Sequence, residues 1–173
     1  GLSLICSKES IFFLLVVLVL LNILYQNRGG KGRVPCFYFS KGDWENGEPV
    51  LSVLQEHNID FVVLAGFLAR IPDSILHAYP NKMINIHPSL LPKFGGKGMY
   101  GDRVHEAVIA AGEKESGITI HYTNEHYDEG AIICQVKCPV LPEDTPDELA
   151  QRIHVLEYDT YPKVIEKLLE SEV

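Results

Sequence analysis

The chain has little of what marks a metal centre or a nucleic-acid partner. Its four cysteines, Cys6, Cys36, Cys134 and Cys138, form no CxxC pair, so no metal site is expected. The apolar residues around Cys36 and Cys134 suit buried thiols in a reducing compartment, which points to a cytoplasmic location. Basic residues are outnumbered, 15 Lys and Arg against 23 Asp and Glu, and no cluster of them offers a stripe that could track phosphates. With a net charge of −8, nucleic acid is not expected as a partner. Internal repeats are missing too, and Gly29-Gly30-Lys31-Gly32 does not match the P-loop pattern.

One long apolar run is present, Ile11 to Leu21. It is shorter than the ~20 residues a membrane-spanning helix needs. Its β-branched Val16, Val17 and Val19 suit a fully buried strand, so a membrane is not an expected partner. Asn27 to Arg33 reads as a flexible loop. The 173 residues fit a single domain, 1–173, with a core of ordinary size.

From about residue 50 the pattern alternates between helix and strand. Glu48 to Asn58 carries apolar residues on one face and predicts a helix. Phe61 to Ala65 predicts a buried strand ending at Gly66. Pro72 to Tyr79 predicts a helix with proline in its first turn. Met83 to His87 is a further strand, Tyr100 to Gly112 a helix stopped by glycine, and Ile118 to Tyr122 a strand partnered by Ala131 to Val136. Thr145, Pro146 and Glu148 form a capping-box start for a last helix running toward Leu169, with Pro162 expected to break or kink it. The fold class is α/β, Rossmann-like, with a mostly parallel sheet flanked by helices.

The chemistry concentrates in Asn85-Ile86-His87-Pro88-Ser89-Leu90-Leu91-Pro92. Asn85 and His87 are two residues apart on one side of an extended segment, and Pro88 keeps His87 out of a helix. Ligands of open α/β sheets gather beyond the carboxyl ends of the strands. Asp128 follows in Glu125-His126-Tyr127-Asp128-Glu129-Gly130. An amide, an imidazole and a carboxylate can stabilise an oxyanion and move a proton without a covalent nucleophile. A carboxylate beside the imidazole would raise its pKa and favour imidazolium. Each residue also has an ordinary explanation: a structural histidine, a turn aspartate, an asparagine bonded to its own backbone.

Three stretches together decide the reading. Asn-Ile-His-Pro-Ser-Leu-Leu-Pro, Val-Leu-Ala-Gly-Phe at 63–67 and Tyr-Asp-Glu-Gly-Ala-Ile-Ile-Cys-Gln at 127–135 resemble the folate-dependent formyltransferase family, over roughly residues 37 to 169. The resemblance implies formyl transfer from 10-formyltetrahydrofolate, the cosubstrate, to the amine of glycinamide ribonucleotide in de novo purine synthesis. Both would be small-molecule partners of a monomer or homodimer. It implies that Asn85 and a protonated His87 stabilise the formyl oxygen, with Asp128 holding the imidazolium and helping to deprotonate the amine. It assigns Lys41, Leu68, Ala69, Arg70, Ile71, Asn85, Asn124 and Asp128 to the folate, and Pro88, His154 and Glu157 to the nucleotide substrate. Family members often carry Arg where Ala69 stands, so Arg70 is an imperfect substitute.

Residues 1–36 are atypical. The family's Gly-Ser-Gly-Ser-Asn type loop, which cradles phosphate at a helix N-terminus, does not appear. Either loop residues are absent from this sequence or the nucleotide site is impaired. The alternatives are a related enzyme using formyltetrahydrofolate, such as a hydrolase or another formyltransferase, and a non-catalytic folate-binding relative without the phosphate loop.

Overall fold

The computed structural model describes residues 2–5, 15–19, 36–37, 39–67 and 69–170, with backbone placement alone for 2–5, 15–19 and 36. The loop expected at 27–33, Cys6 and Leu68 lie outside the described residues. The chain divides into two compact units, Gly1–Asn85 and Ile86–Val173.

The first unit holds strands β1 (Leu2–Ile5), β2 (Leu15–Val19), β3 (Cys36–Phe37), β4 (Phe61–Ala65) and the start of β5 (Met83–His87), with helices α1 (Lys41–Asn46), α2 (Glu48–Glu56) and α3 (Asp73–Ala78). β1 pairs parallel with β3 and β4 parallel with β5, whereas β2 runs antiparallel to both β1 and β4. Four of these strands therefore share a direction, as a mostly parallel α/β sheet requires, and β2 is inverted. Linker length explains the inversion. Residues 6–14 separate β1 from β2, too few for the crossover of a dozen or more residues that a parallel pair needs. β2 falls inside the apolar run that predicted a buried strand.

Helices α1 and α2 meet at Gly47. A φ of 81° there suits glycine, and an added Cβ would collide with Ser74 and Pro72. Helix α1 was not anticipated, although Ser40 and Asp43 form a complete capping box before it. The unit's apolar cluster packs Trp44 and Leu54 from the helices against Val62, Leu64 and Met83 from the strands.

The second unit begins at Ile86 within β5. It contains helix α4 (Asp102–Ala110), strands β6 (Glu115–Tyr122) and β7 (Ile132–Pro139) as an antiparallel pair, and helix α5 (Pro146–Glu170). Helix α5 packs on α4, β6 and β7, burying Leu149, Ile153, Tyr161 and Leu169. Its expected capping box is present: Thr145 N donates to Glu148 Oε2 at 2.8 Å, and Glu148 N donates to Thr145 Oγ1 at 3.3 Å.

Pro162 does not break α5, which runs through it. Pro162 and Tyr158 are both exposed, so water can satisfy the carbonyl that the proline leaves without a donor. No helix among the described residues is long and apolar enough to cross a membrane.

Candidate active site

His87 ends β5 and is 4% exposed. Its Nε2 lies 2.8 Å from the carbonyl oxygen of Phe94. A carbonyl only accepts, so Nε2 carries the hydrogen and donates. Nδ1 then faces Asp128 Oδ2 at 3.6 Å. That is too long for a hydrogen bond, but close enough for charge to matter.

Asp128 has a φ of 58°, the left-handed region that aspartate tolerates better than most residues. Its Oδ2 accepts from Gly96 N at 2.8 Å. Its Oδ1 lies 3.6 Å from Nε2 of His121, and Nδ1 of His121 meets the Tyr122 carbonyl at 2.8 Å. One carboxylate therefore stands between two buried imidazoles, each turning its other nitrogen to a backbone carbonyl. Next to His121 the β6–β7 register shifts: Ile120 opposes Cys134 and His121 opposes Ile132, leaving Ile133 as a bulge. Bulges of this kind commonly re-aim a side chain beside an active site.

Burial is the largest influence on the Asp128 carboxyl and would raise its pKa. His121, His87 and the Gly96 N–H together outweigh it, so Asp128 sits below the usual carboxylate range and is ionised. Burial is also the largest influence on His87, and here it wins. Asp128, the Phe94 carbonyl and Glu157 pull upward, but the net shift is downward. The upward pull of the carboxylate expected from the sequence is present, and burial opposes and exceeds it.

The remaining candidates divide between the units. Asn85 is half-buried on β5, opposite Leu64 of β4. Lys41 is an exposed residue of α1, 3.6 Å from Glu45. Ala69 is exposed. Arg70 pairs with Asp73 at 2.7 Å, and its carbonyl accepts from Trp44 Nε1 at 2.9 Å. The Ile71 side chain is buried in the apolar cluster of the first unit.

In the second unit Asn124 Oδ1 accepts from His126 N at 2.9 Å, a turn that shapes the approach to Asp128. Pro88 is half-buried after His87. His154 Nδ1 lies 2.8 Å from Glu157 Oε2 on α5. A cavity of about 330 Å³ lined by Leu90, Phe94, Glu113, Gln135 and Lys137 contains none of the catalytic candidates. Among the described residues no group of three or more His, Cys, Asp or Glu side chains could hold a metal ion.

Sequence reasoning missed His121 and the backbone groups of Phe94 and Gly96. A signal for His121 existed. Thr119 and His121 alternate with apolar Ile118 and Ile120, marking a polar face on the strand that leads to Asp128.

A profile of the formyl transferase family matches residues 28–165. The chain belongs to the formyl transferase family. It is 48% identical over 143 residues to a Vigna unguiculata protein named phosphoribosylglycinamide formyltransferase, chloroplastic, covering 83% of this chain and 42% of that one. It is 40% identical over 140 residues to the Bacillus subtilis phosphoribosylglycinamide formyltransferase, covering 79% of this chain and 69% of the relative. The crystal structure of phosphoribosylglycinamide formyltransferase from Anaplasma phagocytophilum superposes with a TM-score of 0.72 at 37% identity, covering 86% of this chain and 68% of that one. The α/β class read from the sequence is thus the formyltransferase fold. The chain spans about half the length of the plant relatives it matches.

Proposed function

We propose that this member of the formyl transferase family moves a formyl group from 10-formyltetrahydrofolate to the amine of glycinamide ribonucleotide, acting as a single formyltransferase domain in purine synthesis. The observation that carries the reading is the constellation of buried His87 and His121 on either side of half-buried Asp128. A half-buried carboxylate held ionised beside a buried imidazole can take up and pass on a proton.

In this reading the substrate amine attacks the formyl carbon and the carbonyl electrons move to oxygen. The Asn85 amide donates to that oxyanion. The amine proton passes to the His87–Asp128 pair, where Asp128 and the Phe94 carbonyl stabilise the imidazolium that forms. The oxyanion collapses, the bond to folate N10 breaks, and the proton held by His87 goes to N10. The electrophile belongs to the folate, so no serine or cysteine nucleophile enters the reaction.

Lys41, Leu68, Ala69, Arg70, Ile71, Asn85, Asn124 and Asp128 are assigned to the folate, and Pro88, His154 and Glu157 to the nucleotide. The His154–Glu157 pair supports the last assignment, because together they present a fixed carboxylate that can accept from hydroxyl or amine donors. The reading includes a monomer or homodimer, no nucleic-acid, membrane or metal partner, and a cytoplasmic location. The plant relatives are named as chloroplastic, so fractionation of the expressing cell decides the compartment.

The test incubates the purified chain with 10-formyltetrahydrofolate, with and without glycinamide ribonucleotide. The expected result is formylated nucleotide and tetrahydrofolate in equal amounts. Formate released without the nucleotide would identify a hydrolase, and folate binding without turnover a non-catalytic relative.

A further inference from the structure

We propose that Trp44 is a positioning residue for the folate, its indole N–H holding the segment 67–71 in the shape that receives the pterin ring. The inference deepens the formyl-transfer reading and rests on it for the assignment of residues 68–71 to the folate.

The segment leaves β4 through Gly66, whose φ is 64°, and ends at Pro72, the N-cap of α3. Ligands of open α/β sheets gather beyond such strand ends. Leu64, two residues before Gly66, stands opposite Asn85 on β5. The segment thus starts beside the amide assigned to the oxyanion.

Its side chains offer little that can recognise the edge of a flat ring. Leu68 is apolar and Ala69 carries a methyl group. The Arg70 guanidinium is paired with Asp73 at 2.7 Å, and Ile71 is buried in the apolar cluster. Reading the donors and acceptors of the ring falls to backbone N–H and C=O groups, whose directions follow the shape of the segment.

Helix α1 braces that shape at three points. Trp44 Nε1 donates to Arg70 O at 2.9 Å. The Trp44 ring packs on Phe67 with 4.8 Å between centroids. At the end of the helix, Gly47 approaches Pro72 so closely that an added Cβ would lie 2.9 Å from the Cβ of the proline. The start of the helix is fixed in turn by the Ser40–Asp43 capping box.

Trp44 is 8% exposed, and a buried indole needs an acceptor. Its acceptor is the backbone in the middle of the segment assigned to the folate. Phenylalanine would fill much of the same space, whereas tryptophan adds the donor that ties α1 to Arg70. A segment already held in its binding shape costs less to order when the ligand arrives. The brace therefore acts on folate binding and leaves the chemical step alone.

Trp44 is the single tryptophan of the chain, so an isosteric replacement isolates its N–H. The full chain is prepared with Trp44 replaced by benzothienylalanine, in which sulfur stands for the N–H, and as Trp44→Phe. Leu54→Ala, which loosens the same apolar cluster and removes no hydrogen bond to the segment, is the control for lost packing. Each is titrated with tetrahydrofolate by calorimetry and assayed for turnover. The isostere should weaken tetrahydrofolate binding about fivefold, the effect of losing roughly one hydrogen bond, and raise the KM for 10-formyltetrahydrofolate by a similar factor. Trp44→Phe should do at least as much. In both variants kcat and the KM for the nucleotide should stay within about twofold, as should tetrahydrofolate binding by Leu54→Ala.

Tetrahydrofolate binding as tight in the isostere as in wild type would overturn the proposal. Equal weakening in folded Leu54→Ala would overturn it too, since packing alone would then explain the effect. Should Trp44→Phe not fold, the isostere decides, because it keeps the shape of the ring. A wild-type chain that binds tetrahydrofolate without formyl transfer defeats the functional reading and leaves the titration to judge Trp44. One that binds no folate defeats both.

Discussion

The two units bury different chemistry. Among the described residues, every buried polar or charged side chain belongs to the second unit: His87, Ser89, His105, Ser116, Thr119 and His121. The buried side chains of the first unit are apolar or aromatic. Its two polar tips are satisfied within the unit, Tyr79 Oη donating to Ile59 O at 2.9 Å and Trp44 Nε1 to Arg70 O at 2.9 Å. Burying polar groups weakens a core unless each finds a partner. The second unit accepts that penalty around His87, as the proposed proton transfer in a site withdrawn from water would require. The apolar cluster of the first unit serves packing, and substitution should separate it from the buried histidines of the second.

The largest effect is expected at Asp128. Asp128→Ala should reduce formyl transfer by about a thousandfold, roughly 4 kcal/mol of transition-state stabilisation. Its thermal unfolding should stay close to wild type, as a half-buried carboxylate without a full ion pair permits. Steady-state kinetics and a melting curve on the same preparation check both. Full activity would dismantle the role given to the constellation.

Leu54→Ala makes the opposite cut. Leu54 is 1% exposed in the apolar cluster, so truncation should cost about 2–5 kcal/mol of stability. Activity per folded molecule should hold within about twofold. An equal loss of kcat at low temperature, with folding intact, would erase the distinction between the units.

The pH dependence sharpens the contrast further. Burial holds the His87 pKa below its ordinary 6.5, so the neutral ring persists at neutral pH. Activity that needs this ring as acceptor is full above the depressed value and is lost as pH falls through it. The acid limb of kcat/KM should therefore inflect below 6.5. Asp128→Asn removes an influence that raises the pKa, so residual activity in that variant should inflect lower still. An inflection above 6.5 would mean that the imidazolium is the working resting form.

How much of this was legible in the sequence depends on the interaction concerned. β4 and β5 were readable to the residue because short apolar runs bounded by turn residues leave few alternatives. The start of α5 was readable because a capping box is a local code. Asn85, His87 and Asp128 were singled out through motif and order. His121, Phe94 O and Gly96 N were not, because they enter through a strand register, a bulge and two backbone groups, and none of these is written in residue type. The inverted β2 was hidden for a related reason. Its side-chain pattern suits either direction, and only the nine-residue spacing from β1 hinted at the turn-back. The upward pull of Asp128 on His87 was legible because the carboxylate is visible in the sequence, whereas the depth of burial that makes the net shift downward is not.

The smallest effect tests whether the second unit also has parts that serve stability alone. Thr145 is exposed and its only described hydrogen bonds are to Glu148 and, through its carbonyl, to Leu149 N. Thr145→Ala removes the side-chain half of the capping box and should cost about 1 kcal/mol. Urea unfolding reads this as a lower midpoint at unchanged slope. Glu157 and His154 lie two to three turns along α5, and the body of the helix is fixed by the buried Leu149 and Ile153. Fraying confined to the first turn should therefore leave kcat and both KM values as they were. A Thr145→Ala variant with normal stability and a raised KM for the nucleotide would show that the helix start is coupled to the substrate residues, and the division between packing and chemistry would then have to be drawn inside α5 rather than at residue 86.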